Sequence, residues 1–199
     1  MERFAGVVLA GGKSKRMGRD KANLIIGNEI ILNHSIHLLQ QFVHEIFISV
    51  NESKYKTINH ISYLPDSIKN IGPTGGIFTA LKIINNPIIV LPCDMPFVTK
   101  NHLKLLISNY IPHVDAVIAS SEKGPEPLLG IYAPSFLIKL EYNLKKKEYS
   151  LQKILRSSRV KFVEFREAGY ITDGFFNINN PEDYKIAKKI NKKFLIFNK

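Results

Sequence analysis

An apolar run from Phe4 to Leu9 opens into Ala10-Gly11-Gly12-Lys13-Ser14-Lys15-Arg16-Met17-Gly18-Arg19-Asp20-Lys21. Two adjacent glycines, Gly11 and Gly12, let the backbone come close to a ligand and turn its N–H groups inward. Lys13, Lys15, Arg16, Arg19 and Lys21 place five cations within nine residues around that concavity. Backbone donors combined with cations are what a polyphosphate requires. Two commoner phosphate loops are excluded by counting. A Walker loop ending at Gly12-Lys13-Ser14 needs glycine where Val7 stands, and a dinucleotide fingerprint starting at Gly11 needs glycine where Lys13 stands. The competing reading of this segment alone is an ordinary turn carrying solvated lysines.

Three further groups have side chains suited to the same chemistry. Pro92-Cys93-Asp94-Met95-Pro96 follows an apolar run ending at Leu91. A carboxylate at the carboxyl end of a strand can hold magnesium, although aspartate in such a loop is also a common turn former or cap. Cys93 reads as a small buried hydrophobe. Gly72-Pro73-Thr74-Gly75-Gly76-Ile77 is expected to open a helix over Ile77 to Ile84. Glycines at a helix start admit a flat ligand and expose unsatisfied N–H donors, and a purely structural turn fits equally well. Asn51, after Ile46-Phe47-Ile48-Ser49-Val50, and Asp66, after Leu64-Pro65, fall on the same edge. Residues of these types at strand ends are often caps. An aspartate can also accept from the N1–H and exocyclic amine of guanine, or from ribose hydroxyls.

In Asn177-Ile178-Asn179 the alternation of an extended segment puts both amides on one face. They could meet a heteroaromatic ring such as a pterin, or stabilise the turn before the next helix. The six histidines, His34 and His37 among them, form no carboxylate-supported metal set and read as surface or core residues.

The elements that must position these groups alternate. Apolar runs at Phe4 to Leu9, Glu45 to Val50, Ile61 to Leu64, Pro87 to Leu91, Ala116 to Ala119 and Leu128 to Tyr132 are separated by helical patterns. Continuous hydrophobicity predicts strands covered on both faces, as in parallel sheets. Leu32, Ile36, Leu39 and Val43 fall on one helical face. Thr99 to Tyr110 reads as a helix capped by Thr99, and Asn180-Pro181-Glu182-Asp183 reads as a cap, a first-position proline and acids in a first turn. The expected fold is a three-layer α/β/α sandwich with a Rossmann-like, mostly parallel sheet. Its crossovers gather the loops at the strand carboxyl ends on one edge. With no linker or repeat, a single domain over residues 1–199 is expected.

The net charge of +11, from 28 Lys+Arg against 17 Asp+Glu, permits nucleic acid, acidic lipid or polyphosphate partners. The excess is diffuse, with Lys145-Lys146-Lys147, Lys188-Lys189 and Lys192-Lys193 falling on expected surface helices. No nucleic-acid module accompanies it, so no nucleic-acid partner is expected. One cysteine excludes an internal disulfide and suits a reducing compartment. Met1-Glu2-Arg3-Phe4 shows no signal-peptide layout, and no apolar run approaches the ~20 residues of a membrane span. A cytoplasmic monomer without a membrane partner is expected.

Leu-Ala-Gly-Gly followed by Arg-Met-Gly and Asp-Lys resembles the signature loop of nucleotidyltransferases. Together with Gly-Pro-x-x-Gly, Pro-Cys-Asp-x-Pro and Asn-x-Asn-x-Pro-Glu, in that order, it resembles the molybdenum cofactor guanylyltransferase family from Val7 to about Tyr184. The resemblance implies the nucleotide-diphospho-sugar transferase type of fold. It also implies magnesium-dependent transfer of GMP from GTP to the terminal phosphate of molybdopterin, with release of pyrophosphate.

On that resemblance Leu9, Ala10, Gly11, Gly12, Lys13, Lys21, Asn51, Asp66, Gly72, Gly75 and Asp94 would bind the nucleotide. Asp94 would bind the metal, Arg16, Lys21 and Asp94 would be catalytic, and Asn177 and Asn179 would face the acceptor. Implied partners are GTP, molybdopterin and, transiently, molybdenum-insertion or molybdoenzyme-maturation proteins. Glu126-Pro127-Leu128-Leu129-Gly130-Ile131-Tyr132 is similar to the family's Pro-Leu-x-Ala-Leu-Tyr strand, with Gly130 in place of alanine and Gly124-Pro125 where a basic residue is common. The resemblance weakens from Ala133 to Tyr170, and Phe194 to Phe197 is left unassigned. The rival readings are a cytidylyltransferase of the same fold, acting on molybdopterin or a methylerythritol phosphate, and a non-catalytic nucleotide- or nucleic-acid-binding module.

Overall fold

The computed structural model describes residues 3–11, 21–50, 61–165 and 172–197. Strand β1 (Ala5–Leu9) comes first, and a 3-10 turn at Lys21–Asn23 leads into a small hairpin, β2 (Ile25–Ile26) and β3 (Glu29–Ile30). Then follow α1 (Ile31–Gln40), β4 (Ile46–Val50), β5 (Ile61–Pro65), α2 (Pro73–Ile83), β6 (Ile88–Pro92) and α3 (Lys100–Ser108). The second half holds β7 (Ala116–Ser121), β8 (Gly124–Tyr132), α4 (Phe136–Lys145), α5 (Leu151–Arg156), β9 (Val160–Glu164), a 3-10 turn at Thr172–Phe175 and α6 (Pro181–Phe197).

Among the described residues, seven strands form one sheet in the order β5-β4-β1-β6-β8-β7-β9. Strand β8 runs antiparallel to both of its neighbours, and the remaining pairings are parallel. The continuous apolar runs are explained by two cores. Along β1, Val8 enters one core while Ala5, Val7 and Leu9 enter the other; along β6, Ile89 and Leu91 oppose Ile88 and Val90 in the same way. The first core is closed by α1 and α3, through Leu38, Leu39, Leu103 and Leu106. The second is closed by α2, α4 and α5, through Ile77, Phe136, Leu140 and Ile154. This is the expected three-layer sandwich. Among the described residues no helix is long and apolar enough to cross a membrane.

Some boundaries differ from the sequence reading, each for a physical reason. Helix α2 starts at Pro73, four residues before the expected Ile77, because a proline at the first helical position needs no N–H partner. Gly75 and Gly76 therefore lie inside the helix. Strand β9, outside the six apolar runs, is a sheet-edge strand with exposed Phe162 and Glu164, so its pattern is mixed. Gly130 stands where the resembled family has alanine, and a Cβ there would sit 2.6 Å from the Val117 carbonyl oxygen. Helix α6 takes in the unassigned tail as far as Phe197. Its expected cap is present: Asn180 Oδ1 accepts from the N–H groups of Glu182 and Asp183 at 2.9 and 3.0 Å. Asp183 Oδ2 in turn accepts from the N–H groups of Asn179 and Asn180 at 2.7 and 3.1 Å.

Candidate active site

Strands β5, β4, β1 and β6 are mutually parallel and end on one edge. Backbone bonds carry the ladder into the loops beyond it. Ala10 N–H donates to Ser49 O at 3.1 Å, Asp66 N–H to Val50 O at 3.1 Å and Cys93 N–H to Leu9 O at 3.2 Å. Three loops distant in sequence are thereby fixed against one another. A cleft of about 480 Å³ opens between them, lined by Leu9, Gly11, Ser49, Asp66, Asn70, Gly72, Pro73, Pro92, Asp94 and Leu128.

At one end of the cleft Asp94 Oδ2 lies 3.5 Å from Lys21 Nζ, both side chains being about a quarter exposed or less (24% and 21%). The same ammonium donates to Asn179 Oδ1 at 3.1 Å. Burial pushes the Asp94 carboxyl above the usual aspartate range, and the Lys21 charge and hydrogen bond only partly offset it. The Asn177–Asn179 segment is tied to this loop through Ile178, whose N–H donates to Asp94 O at 2.9 Å. Ile178 is fully buried in the small core beneath the β2–β3 hairpin, whereas Asn177 is half-buried and Asn179 exposed. The alternation expected of an extended segment is therefore observed, and the helix cap is supplied by Asn180 instead of either asparagine.

At the other end, Ser49 Oγ donates to Asp66 Oδ1 at 2.9 Å. Burial pushes the Asp66 carboxyl up, and the Ser49 hydrogen bond acts against it. The loop after Asp66 is pinned to α2: Ser67 N–H donates to Thr79 Oγ1 at 2.9 Å, and that hydroxyl donates to Gly75 O at 2.8 Å. Gly72 caps α2 at φ +67°, ψ −154°, a conformation open in practice only to glycine. Gly75 is buried under the cleft, and a Cβ on it would meet Ile68 O at 2.9 Å.

Of the residues singled out in the sequence, Leu9, Gly11, Asp66, Gly72 and Asp94 line the cleft. Lys21 and Asn179 meet beside Asp94, and Asn177 lies two residues from Asn179. Ala10 is half-buried behind the cleft, with its N–H committed to Ser49. Gly12, Lys13, Arg16 and Asn51 lie outside the described residues. Cys93 is buried in the core, as expected. His34 and His37 lie at the surface, where His34 Nδ1 and His37 Nδ1 meet the two oxygens of Glu29 at 3.2 and 2.7 Å. The hairpin carrying Glu29 folds back on α1, a contact that spacing alone does not reveal. Among the described residues there is still no group of three metal-binding side chains.

Ser49, Asn70, Pro73, Pro92 and Leu128 also line the cleft, although none of them is among the expected nucleotide-binding residues. Ser49 had a signal, as the lone hydroxyl in Ile46-Phe47-Ile48-Ser49-Val50. Leu128 had none. It belongs to a bulge in which Ile118 pairs with Gly130 but Ala119 pairs with Glu126. The Tyr132 hydroxyl closes that bulge by donating to Pro127 O at 2.5 Å.

The MobA-like NTP transferase domain family matches residues 6–162 of the chain. A molybdenum cofactor guanylyltransferase of Campylobacter jejuni is 29% identical over 185 residues, covering 92% of this chain and 94% of its own. A probable molybdenum cofactor guanylyltransferase of Carboxydothermus hydrogenoformans is 30% identical over 194 residues, covering 96% and 98%. The crystal structure of molybdopterin-guanine dinucleotide biosynthesis protein A from Archaeoglobus fulgidus superposes with a TM-score of 0.79 at 26% identity, covering 95% of this chain and 99% of that one.

Proposed function

This chain belongs to the MobA-like NTP transferase family and is a nucleotidyltransferase, and on that premise we propose that it moves GMP from GTP onto the terminal phosphate of molybdopterin, releasing pyrophosphate. The observation that carries the reading is the junction at Lys21, whose ammonium joins the Asp94 carboxylate to the Asn179 amide. A group suited to holding the donor's phosphates thus meets a group suited to the acceptor, in the cleft that Gly11 also lines at the end of the neighbouring strand β1.

The strand order supports a purine at the far end. If the phosphates lie between the β1 and β6 loops, Asp66 after β5 is two strand spacings from β1, about 10 Å. Ribose hydroxyls lie close to the α-phosphate. The distal edge of a purine reaches further, and further than that of a pyrimidine. Asp66 therefore suits the N1–H and exocyclic amine of guanine better than ribose.

Asp94 fits a magnesium ion, which is commonly held by one or two carboxylates together with substrate phosphates and water. It is a single, partly shielded carboxylate whose charge is incompletely offset in the protein. Magnesium bound there would draw off charge from the phosphate oxygens. The acceptor's phosphate monoester has a second pKa of about 6, so it is already an anionic nucleophile at neutral pH and needs no general base. Its oxygen attacks the α-phosphorus in line; the bond from that phosphorus to the bridging oxygen breaks, and pyrophosphate leaves. Lys21, with Lys13 and Arg16 of the signature loop, steadies the charge that builds on the transferred and leaving groups. Asn177 and Asn179 orient the pterin, and catalysis is positioning plus charge neutralisation.

Pyrophosphate release tests the reading. It should require GTP, magnesium and molybdopterin together and stop when any one is withheld. Release that proceeds with CTP in place of GTP would overturn the guanylyl assignment.

A further inference from the structure

We propose that Ser49 is a positioning residue that aims the Asp66 carboxylate at the guanine edge, and that Gly76 is glycine in order to admit the Ser49 hydroxyl. The proposal rests on the reading of the cleft as a GTP site.

Ser49 is 3% exposed within an otherwise apolar strand, where an unpaired hydroxyl would be costly. Its oxygen donates to Asp66 Oδ1, so the hydroxyl is committed to that carboxylate. Among the described residues, Asp66 is otherwise held through main chain, by its own N–H on Val50 O and by Ser67 N–H on Thr79 Oγ1. These bonds fix where the side chain begins; among the described residues it is the Ser49 bond that fixes the rotation of the carboxylate plane. A carboxylate has about four acceptor positions, and Ser49 takes one. Guanine presents N1–H and an exocyclic amine as two parallel donors, which a carboxylate of fixed plane can accept together. Adenine and cytosine lack that pair. Ser49 also opposes the upward push of burial on Asp66 and so favours the ionised acceptor.

Gly76 supplies independent support. A Cβ on it would collide with Ser49 Oγ and would sit 3.0 Å from Leu9 Cδ2 and 3.1 Å from Ser49 Cβ. Glycine inside a helix is unfavourable relative to alanine, so its place here calls for a reason. The space it leaves is the space the Ser49 hydroxyl fills.

The test compares GTP with inosine triphosphate, which lacks the exocyclic amine, using calorimetry and steady-state rates on the full chain with magnesium. In Ser49→Ala, GTP affinity should fall about tenfold, the order expected for one lost polar contact. The inosine nucleotide should lose less, and KM for GTP should rise more than kcat falls. Gly76→Ala should mimic this loss and should cost less when combined with Ser49→Ala, because the main clash is gone. If Ser49→Ala retains the wild-type preference for GTP, or weakens both nucleotides equally alongside a lower melting temperature, Ser49 is merely structural and the proposal fails. If wild-type protein binds neither nucleotide, the guanylyl reading fails and takes this proposal with it.

Discussion

Asp94 and Asp115 lie at opposite edges of one sheet, the first just after β6 and the second just before β7. Asp115 is 1% exposed and has all it needs. It accepts from Ser135 Oγ at 2.8 Å, from Arg159 N–H at 2.9 Å and from Arg159 Nη2 at 2.9 Å. Burial pushes its carboxyl up, but the hydrogen bonds from Arg159 and Ser135 and the Arg159 charge outweigh that and hold it below the usual range. Asp94 shows the reverse balance. Burial outweighs the Lys21 contact, and the carboxyl stands above the usual range. The difference teaches where to look for chemistry. A carboxylate that the fold satisfies is consumed in holding the chain together, and one the fold leaves short of partners is available to a ligand.

The sharpest way to break this comparison is Asp94→Asn, which keeps the shape and removes the charge. Turnover should fall ~10²–10³-fold, the usual cost of losing a group aimed at developing charge. The urea midpoint should hold, with circular dichroism as the folding control. Near-normal turnover at low magnesium would mean that Asp94 is not the metal ligand. Asp115→Ala should do the opposite. It leaves the Ser135 hydroxyl and the Arg159 N–H without their acceptor, so urea unfolding should show a loss of about 1–3 kcal/mol, while GTP affinity stays at the wild-type level.

Acid should separate the two groups in order. Without metal the folded pKa of Asp94 is raised, so at low magnesium its protonation, and with it the loss of metal binding and turnover, begins above the pH of an ordinary aspartate. The folded pKa of Asp115 is depressed, so its contribution is present above its unfolded pKa and is lost only as pH falls through the lower folded value. Turnover should therefore decline while the unfolding midpoint persists. Parallel decline of both would erase the distinction.

The smallest effect compares two glycines with positive φ and nothing within 4 Å of a would-be Cβ, Gly72 at +67° and Gly124 at +103°. Alanine at either should cost about 1 kcal/mol of stability through backbone strain. Only Gly72→Ala should also weaken GTP, since Gly72 lines the cleft and Gly124 opens β8, outside the cleft lining.

What was legible in the sequence was local. The apolar runs, the glycine pair before a cluster of cations, and the aspartate between prolines carry their signals within a dozen residues. They placed Gly11 and Asp94 on one edge before any coordinates. The rest arises across distance. Ser49 and Asp66 meet across 17 positions through the β4–β5 pairing, and Lys21 and Asn179 across 158 through the Ile178 bond to the Asp94 loop, neither of which a local period encodes. The β8 bulge that brings Leu128 into the cleft depends on a register slip against β7 and on a tyrosine hydroxyl closing it. Gly75 lies inside α2 and packs beneath Asp66, because α2 begins earlier than the glycines suggest.

The most direct measurement supplies equimolar GTP and CTP, each radiolabelled at the α-phosphorus, to the wild-type protein with magnesium and molybdopterin, and separates the products by chromatography. The account predicts that label from GTP enters a molybdopterin dinucleotide and that label from CTP stays in the unreacted nucleotide. Label from CTP entering the product as readily, or none entering it from GTP, would contradict it.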